Sequence, residues 1–438
     1  MRHAATLFKS TTSPIAVGLL IASLSLGVQA QNLLSMVDAA RAYDAIYLGE
    51  VAAAQAARAT AMQGRAGVLP KLALQAQASR LTSHGHTVPT SFVSTSQQIG
   101  LVATQSLYSA TNLANLGKAK QGELGADVQL RGAEQSLLVR VAQAYFDVLT
   151  AQDELTSVQA SKTATAQQLE AAKRNFEVGN TTITDTREAQ AQFDSITANE
   201  IASENNLRVK ELALAQITGL SQPTPNRLAS NDMPTLPKGD MAAWVTIAQN
   251  NSVSIAAAKI ALANARLDID IAQGGHKPTL DLSVSYNQKS ATIKANPSTT
   301  IGLSFNMPLF TGYAVTNGVD AAVAKETQAR YSLDNAMRNT INLVKTAYLG
   351  LQSGIGQTKA LQAALASSQS ALEANQLGYE VGVRINIDVL NAQTNVFATQ
   401  AALAKARFSV LVGGLQVRQA AGTLTMDHVV ALNQLLEQ

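Results

Sequence analysis

The sequence predicts a mainly α-helical chain that also carries transmembrane β-strands, built as a duplicated unit of helix, two strands, very long helix, turn and helix. Three observations point to this. The chain repeats itself: Ala144-Tyr145 recurs as Ala347-Tyr348, Leu169-Glu170-Ala171 as Leu372-Glu373-Ala374, and Phe176-Glu177-Val178-Gly179 as Tyr379-Glu380-Val381-Gly382, all at one offset of 203 residues. Proline is absent from Tyr108 to Gln222 and from Leu309 to Gln438. Because proline removes a helix hydrogen bond and clashes with the preceding turn, those stretches are free to form very long helices. Four short segments instead alternate apolar and polar residues, and residues 81–117 and 295–319 hold no Asp, Glu, Lys or Arg.

In chain order, residues 1–30 read as a secretory signal. Arg2 and Lys9 precede an apolar run, Ile15–Val28, and Val28-Gln29-Ala30 is a small-residue cleavage pattern that leaves Gln31 as the mature start. The run is shorter than the ~20 residues needed to span a bilayer, and no later stretch is longer. The first half (31–220) opens with a helix expected over Leu34–Val68. Strands follow with Leu72, Leu74, Ala76 and Ala78 on one face, then Ile99, Leu101, Ala103 and Leu107. A helix over 109–178 would be about 105 Å long. The linker 221–239 holds Pro223, Pro225, Pro234 and Pro237. The second half (240–422) repeats the plan, with strands on Leu280, Leu282, Val284 and Tyr286 and on Ile301, Leu303, Phe305, Met307 and Leu309, and a tail (423–438) closes the chain.

Composition narrows the function. Lys+Arg is 33 and Asp+Glu is 30. Without Arg2 and Lys9 the balance is 31 against 30, too even for a nucleic-acid binder, which needs basic patches. The chain has no cysteine, which excludes disulfides, thiol catalysis, cysteine zinc sites and a lipidated N-terminal cysteine. No nucleophile stands beside a base, so no enzyme and no cofactor is expected. His84 and His86 lack a third ligand, and no metal site is expected there. Gly354 and Gly356 have no phosphate-loop context.

Four strands cannot close a membrane barrel, whose smallest members have about eight, and an open edge in lipid leaves backbone groups unpaired. A helix of this length can be buried only against other long helices. The chain must therefore share one barrel and one helical tube with other copies. With the Leu69-Pro70-Lys71-Leu72 strand entry, the Pro308-Leu309-Phe310-Thr311-Gly312 strand exit and the stretch Tyr379-Glu-Val-Gly-Val-Arg384-Ile-Asn-Ile-Asp388-Val-Leu390, the sequence resembles the TolC-type outer-membrane efflux proteins over essentially the whole mature chain. The resemblance implies a homotrimer in the Gram-negative outer membrane that extends into the periplasm. In it, twelve strands form one barrel in outer-membrane lipid and twelve helices form a periplasmic tube, with small equatorial elements from 221–239 and 423–438. It implies a periplasmic adaptor and an inner-membrane ABC or proton-driven transporter as partners. The cargo it implies is exported protein, drugs or both, and the missing lipidated cysteine leans toward the protein-secretion or dual-use branch. The competing reading is an adhesive or structural trimer. Strands placed mid-sequence in each half argue against it, because they return both helical ends to the periplasmic side.

Gly179 and Gly382 are expected to end the long helices, since glycine tolerates a left-handed cap. On local grounds Asp185 reads as an N-cap with Glu188 completing a capping box, and Asp388 as a first-turn acid. The resemblance adds that Thr184, Asp185, Tyr379 and Arg384 fall where the family links its helices to close the periplasmic entrance, and that Asp388 narrows it. Arg384 is expected to pair with Asp185 or Asp388. The family pattern has a second acid where this chain has Asn391.

Overall fold

The computed structural model describes residues 31–83, 92–229, 239–291 and 297–437. The expected signal segment, His84, His86 and residues 230–238 of the linker lie outside them. The first repeat runs α1 (Leu33–Tyr43), α2 (Ala45–Gly64), β1 (Lys71–Ser83), β2 (Phe92–Ser109), α3 (Ala110–Glu177) and α4 (Ile183–Thr218). The second runs α5 (Met241–Asn251), α6 (Val253–Gly274), β3 (Thr279–Ala291), β4 (Pro297–Asn306), α7 (Ala314–Glu380) and α8 (Asn386–Ala420), and α9 (Met426–Asn433) follows. With 68 and 67 residues, α3 and α7 are each about 100 Å long.

Each long helix is flanked along its length by two shorter ones. In the half nearer the sheet, α2 lies along α3, laced by Arg58–Asp127 at 2.5 Å and Arg65–Glu123 at 2.6 Å. On the other side of α3, α6 is held by Lys118–Asp268 at 2.7 Å. In the far half, α4 takes over from α2 through Lys210–Asp147 at 3.0 Å and Lys162–Glu200 at 2.5 Å, and α8 takes over from α6, packing against both α3 and α7.

The single helix expected over Leu34–Val68 is broken at Asp44. This residue leaves the helical region (φ −60°, ψ 111°), and its carboxylate accepts the Tyr47 amide at 2.6 Å, starting α2 afresh. What fixes the break is Arg140 of α3, which grips Asp44 with both guanidinium nitrogens, at 2.8 and 3.0 Å. The second repeat breaks at the matching level, between α5 and α6, where Ser252 has ψ 129°. There Gly422, at φ +72°, passes so close that a Cβ would lie 2.2 Å from the Asn251 carbonyl oxygen.

The main core sits at these breaks. Leu33, Met36 and Val37 of α1, Leu137, Val141 and Tyr145 of α3, and Leu411 and Leu415 of α8 are fully or nearly fully buried together. Phe146 stacks on Phe408 at 5.6 Å, a pair worth about 1 kcal/mol beyond its burial. Tyr145 donates its hydroxyl to the Asn226 carbonyl at 2.9 Å, and burial pushes its pKa up. Around that anchor the segment before α1, the linker and the tail are stitched together: the Gln31 amide donates to Thr224 at 2.8 Å and the Glu437 amide to Arg227 at 2.8 Å.

The sheet has the order β1-β2-β3-β4, antiparallel throughout. Register puts Leu72, Leu74 and Ala76 opposite Ala103, Leu101 and Ile99, then Val284 and Tyr286 opposite Ala103 and Leu101, then Ile301 and Leu303 opposite Val284 and Leu282. One face is thus apolar across all four strands, and Leu72, Leu74, Ile301 and Leu303 on it are exposed. The other face carries Gln75, Gln77, Gln98, Thr104, Ser283, Ser285, Asn287 and Ser304.

Two strand expectations are corrected. A bulge at Ser106/Tyr108 takes Leu107 out of the pairing and sets Tyr108 opposite Leu280 instead. The fourth strand stops at Asn306, short of Met307 and Leu309; Pro308 has no amide to donate to a ladder. The two strand-to-helix joints differ as a result. β2 passes into α3 without an intervening residue, Ser109 capping the Asn112 amide at 3.2 Å. Between β4 and α7 lie seven residues, 307–313, with Leu309, Phe310 and Tyr313 exposed and Tyr313 at φ +62°.

Burial raises the pKa of Asp44, but the Arg140 hydrogen bonds and charge and the Tyr47 amide outweigh it, and the net shift is downward. A depressed carboxylate stabilises the fold above its unfolded value of about 3.9, and this is lost as pH falls through the folded value. Arg140→Leu, which strands a carboxylate in a residue only 4 % exposed, is expected to cost about 2 kcal/mol and to flatten the acid limb of stability. Thermal unfolding in detergent from neutral pH down to about 3 checks both.

Candidate functional site

The end of the helices farthest from the sheet is built from two equivalent turns. In the first, the Val178 amide donates to Arg174 and the Asn180 amide to Asn175; in the second, Val381 donates to Leu377 and Val383 to Gly378. Each donor and acceptor is 203 residues from its counterpart. Gly179 and Gly382 lie at φ +78° and +77°, the left-handed region in which a helix ends cheaply on glycine. Val178, Val381 and Val383 stand exposed at the turns.

The two returning helices start differently. The N-cap of α4 is Thr182, whose hydroxyl accepts the Asp185 amide at 3.4 Å while the Asp185 carboxylate accepts the Thr182 amide at 3.2 Å. Asp185 is therefore the third residue of the helix in a capping box with Thr182, and the N-cap role with Glu188 expected for it is corrected. The helix starts three residues earlier because a threonine hydroxyl was available there. Asp185 also accepts the hydroxyls of Thr181 and Thr182. Led by the Thr181 hydrogen bond, these contacts hold its carboxyl below the usual carboxylate range. Thr184 is exposed in the same first turn.

In α8 the equivalents of Thr181 and Thr182 are Arg384 and Ile385, and Ile385 provides no side-chain cap. Asp388 sits in the first turn and meets Arg384 at 3.6 Å. Of the two pairings expected for Arg384, this is the one formed. At this exposure it contributes at most about 1 kcal/mol. Asp388 thus keeps capacity that Asp185 has spent on its own turn, and Asn391 is exposed one turn further on.

Tyr379 does join the two repeats: its hydroxyl accepts the Asn175 amide nitrogen at 3.3 Å. The other links were not foreseen. Gln192 of α4 donates to Thr394 of α8 at 3.0 Å. Asn386 accepts from Gln168 of α3 and donates to the Asp185 carbonyl at 3.4 Å. Beneath them Leu169, Ala172, Ala189 and Leu390 form a small apolar cluster with Phe193 and Ile387 against it. A signal for Asn386 was present in the repeat: its counterpart is Ile183, and that of Gln168 is Ala371, so the duplication is broken at both partners.

A sheet with one exposed apolar face, set on helices of about 100 Å that turn back at glycines, defines a class: the membrane-anchored helical protein. The outer membrane efflux protein family matches residues 50–220 and 244–423, and the chain belongs to that family. Among its relatives, outer membrane protein TolC of Vibrio cholerae is 33 % identical over 432 residues, 96 % of this chain and 97 % of the relative. The proteases secretion protein PrtF of Dickeya chrysanthemi is 28 % identical over 396 residues, 84 % and 83 %. In structure the chain superimposes on CusC, described for its transmembrane channel formation, with a TM-score of 0.80 at 20 % identity, covering 91 % of this chain and 95 % of that one. The protein is an efflux channel component of the Gram-negative outer membrane.

The Asp185 cap carries its own prediction. Its depressed pKa makes the first turn of α4 firm above about pH 4 and looser as pH falls through the folded value. Hydrogen exchange at the amides of 183–187, corrected for intrinsic rates, should show this loss of protection. Asp185→Asn should abolish its pH dependence, and Thr182→Ala should weaken the turn by about 1 kcal/mol at neutral pH.

Proposed function

We propose that three copies of this chain form one exit duct, with a shared barrel in the outer membrane and a shared helical tube across the periplasm. Its cargo is handed over by an inner-membrane ABC or proton-driven transporter through a periplasmic adaptor. The observation that carries this reading is the open sheet: β1 and β4 each end it, and the face common to all four strands is apolar and exposed. Lipid accepts such a face but not such edges, and pairing β4 of one copy with β1 of the next removes the edges. Three chains of four strands give twelve, a closed barrel of ordinary size. The repeats 31–220 and 240–422 supply the wall, and the linker 221–239 with the tail 423–438 supply an equatorial belt where the Tyr145 anchor ties them to the helices. Phe305, Phe310, Tyr313 and Tyr108, all exposed toward the helical end of the sheet, suit a membrane–water boundary.

The tip is the entrance in this reading. Thr184, Asp185, Tyr379 and Arg384 belong to the links that narrow it, Gly179 and Gly382 end the helices there, and three copies of Asp388 surround the axis. Carboxylates brought together in this way favour a bound cation. The similarity to a TolC and to a protease secretion protein supports type I secretion or drug efflux as the service performed.

Purified protein in detergent should have the mass of three chains by mass photometry; a stable monomer would overturn both barrel and tube. Reconstituted in a planar bilayer, it should conduct with modest cation preference and be blocked by divalent ions. An adhesive trimer would give no conductance steps. Asp388→Asn should remove most of the block without lowering trimer yield, since a first-turn acid contributes only about 0.3–1 kcal/mol to its helix. Asn391→Asp should strengthen it. Divalent block that survives Asp388→Asn would reduce Asp388 to a helix-start residue.

A further inference from the structure

Asn386 is 1 % exposed and opens α8 immediately after an N-cap that is not a polar residue. The helix gains nothing from it locally, since asparagine is an indifferent helix former and its side chain bonds no amide of its own turn. Both ends of its amide are instead spent on the other repeat. Gln168 of α3 donates to its oxygen, and its nitrogen donates to the carbonyl of Asp185 in α4. Ile387, the next residue, packs on the apolar cluster of Leu169, Ala172, Ala189 and Leu390. In the first repeat the same position is Ile183, 48 % exposed.

We infer that Asn386 is a positioning residue of the entrance: an uncharged latch that holds the α7–α8 coil against the α3–α4 coil within each chain. The inference rests on reading the tip as the entrance. Along most of their length the helices are laced by ion pairs, which salt screens. The amide pair Gln168–Asn386 has no charge to screen and no proton to lose. A latch of this kind holds equally well across the salt and pH range of a compartment that exchanges with the outside. It yields to a partner that competes for the amides or pries the coils apart.

The chain's lack of cysteine permits a direct test. Spin labels at Val178→Cys and Val381→Cys, both exposed at the turns, report the separation of the two coils in the full trimer. Asn386→Leu should move that distance outward and raise the open fraction in planar-bilayer recordings by about tenfold, the effect of removing the two hydrogen bonds that Asn386 makes to the other repeat. Adding Gln168→Leu should reverse much of the change, because two apolar groups in contact leave no amide stranded. Raising salt from about 0.1 M to about 1 M should leave the wild-type separation unchanged. Should Asn386→Leu fail to assemble, Gln168→Ala removes the same bond from the partner's side and is read in the same way. Wild-type separation in these variants would overturn the latch. Wider separation with unchanged conductance would keep the latch and overturn the entrance.

Discussion

An unpaired strand edge cannot be left in lipid. Water satisfies the backbone of an exposed edge elsewhere, but in hydrocarbon each open amide or carbonyl costs several kcal/mol. A chain with four strands therefore cannot be complete in itself. In the proposed assembly, strands shared among copies fix where the helices below them stand, and helices of about 100 Å find along their whole length neighbours that one chain does not supply.

Much of this was legible before the fold was known. Helix length could be read from missing proline, and the phase of the strands from alternation alone: Leu72, Leu101, Val284 and Ile301 were placed on one face and share one. What escaped depends on partners far away in sequence or on competition within a few residues. The break at Asp44 is set by Arg140, 96 residues on, which no local propensity encodes. The bulge that displaces Leu107 inserts one residue into a pattern whose period is two, so a reading by parity carries the error to the end of the strand. At the α4 start, three hydroxyl or carboxylate side chains within four residues could each have capped the helix, and Thr182 prevailed because Asp185 reciprocates from the third helical position. Nothing local marks Asn386; its meaning lies in its mismatch with Ile183.

Duplication supplies the scaffold and its exceptions supply the site. The two turns superimpose bond for bond around Gly179 and Gly382. The residues that follow diverge at once: hydroxyls in the first repeat consume Asp185, whereas Arg384 holds Asp388 only by one edge. In the proposed ring of three chains, two chemically distinct kinds of helix start alternate: one acid is spent on its own cap and the other is held by a single ion pair.

The two joints between sheet and helix give each chain one stiff strut and one compliant one. Where Ser109 hands β2 directly to α3, a displacement of the helix is a displacement of the strand. At 307–313 the same displacement of α7 is first taken up by rotation about a seven-residue tether. In the proposed tube, a pull on the far end loads a lever about 100 Å long whose fulcrum lies at that tether, and the tether keeps the load from the proposed barrel.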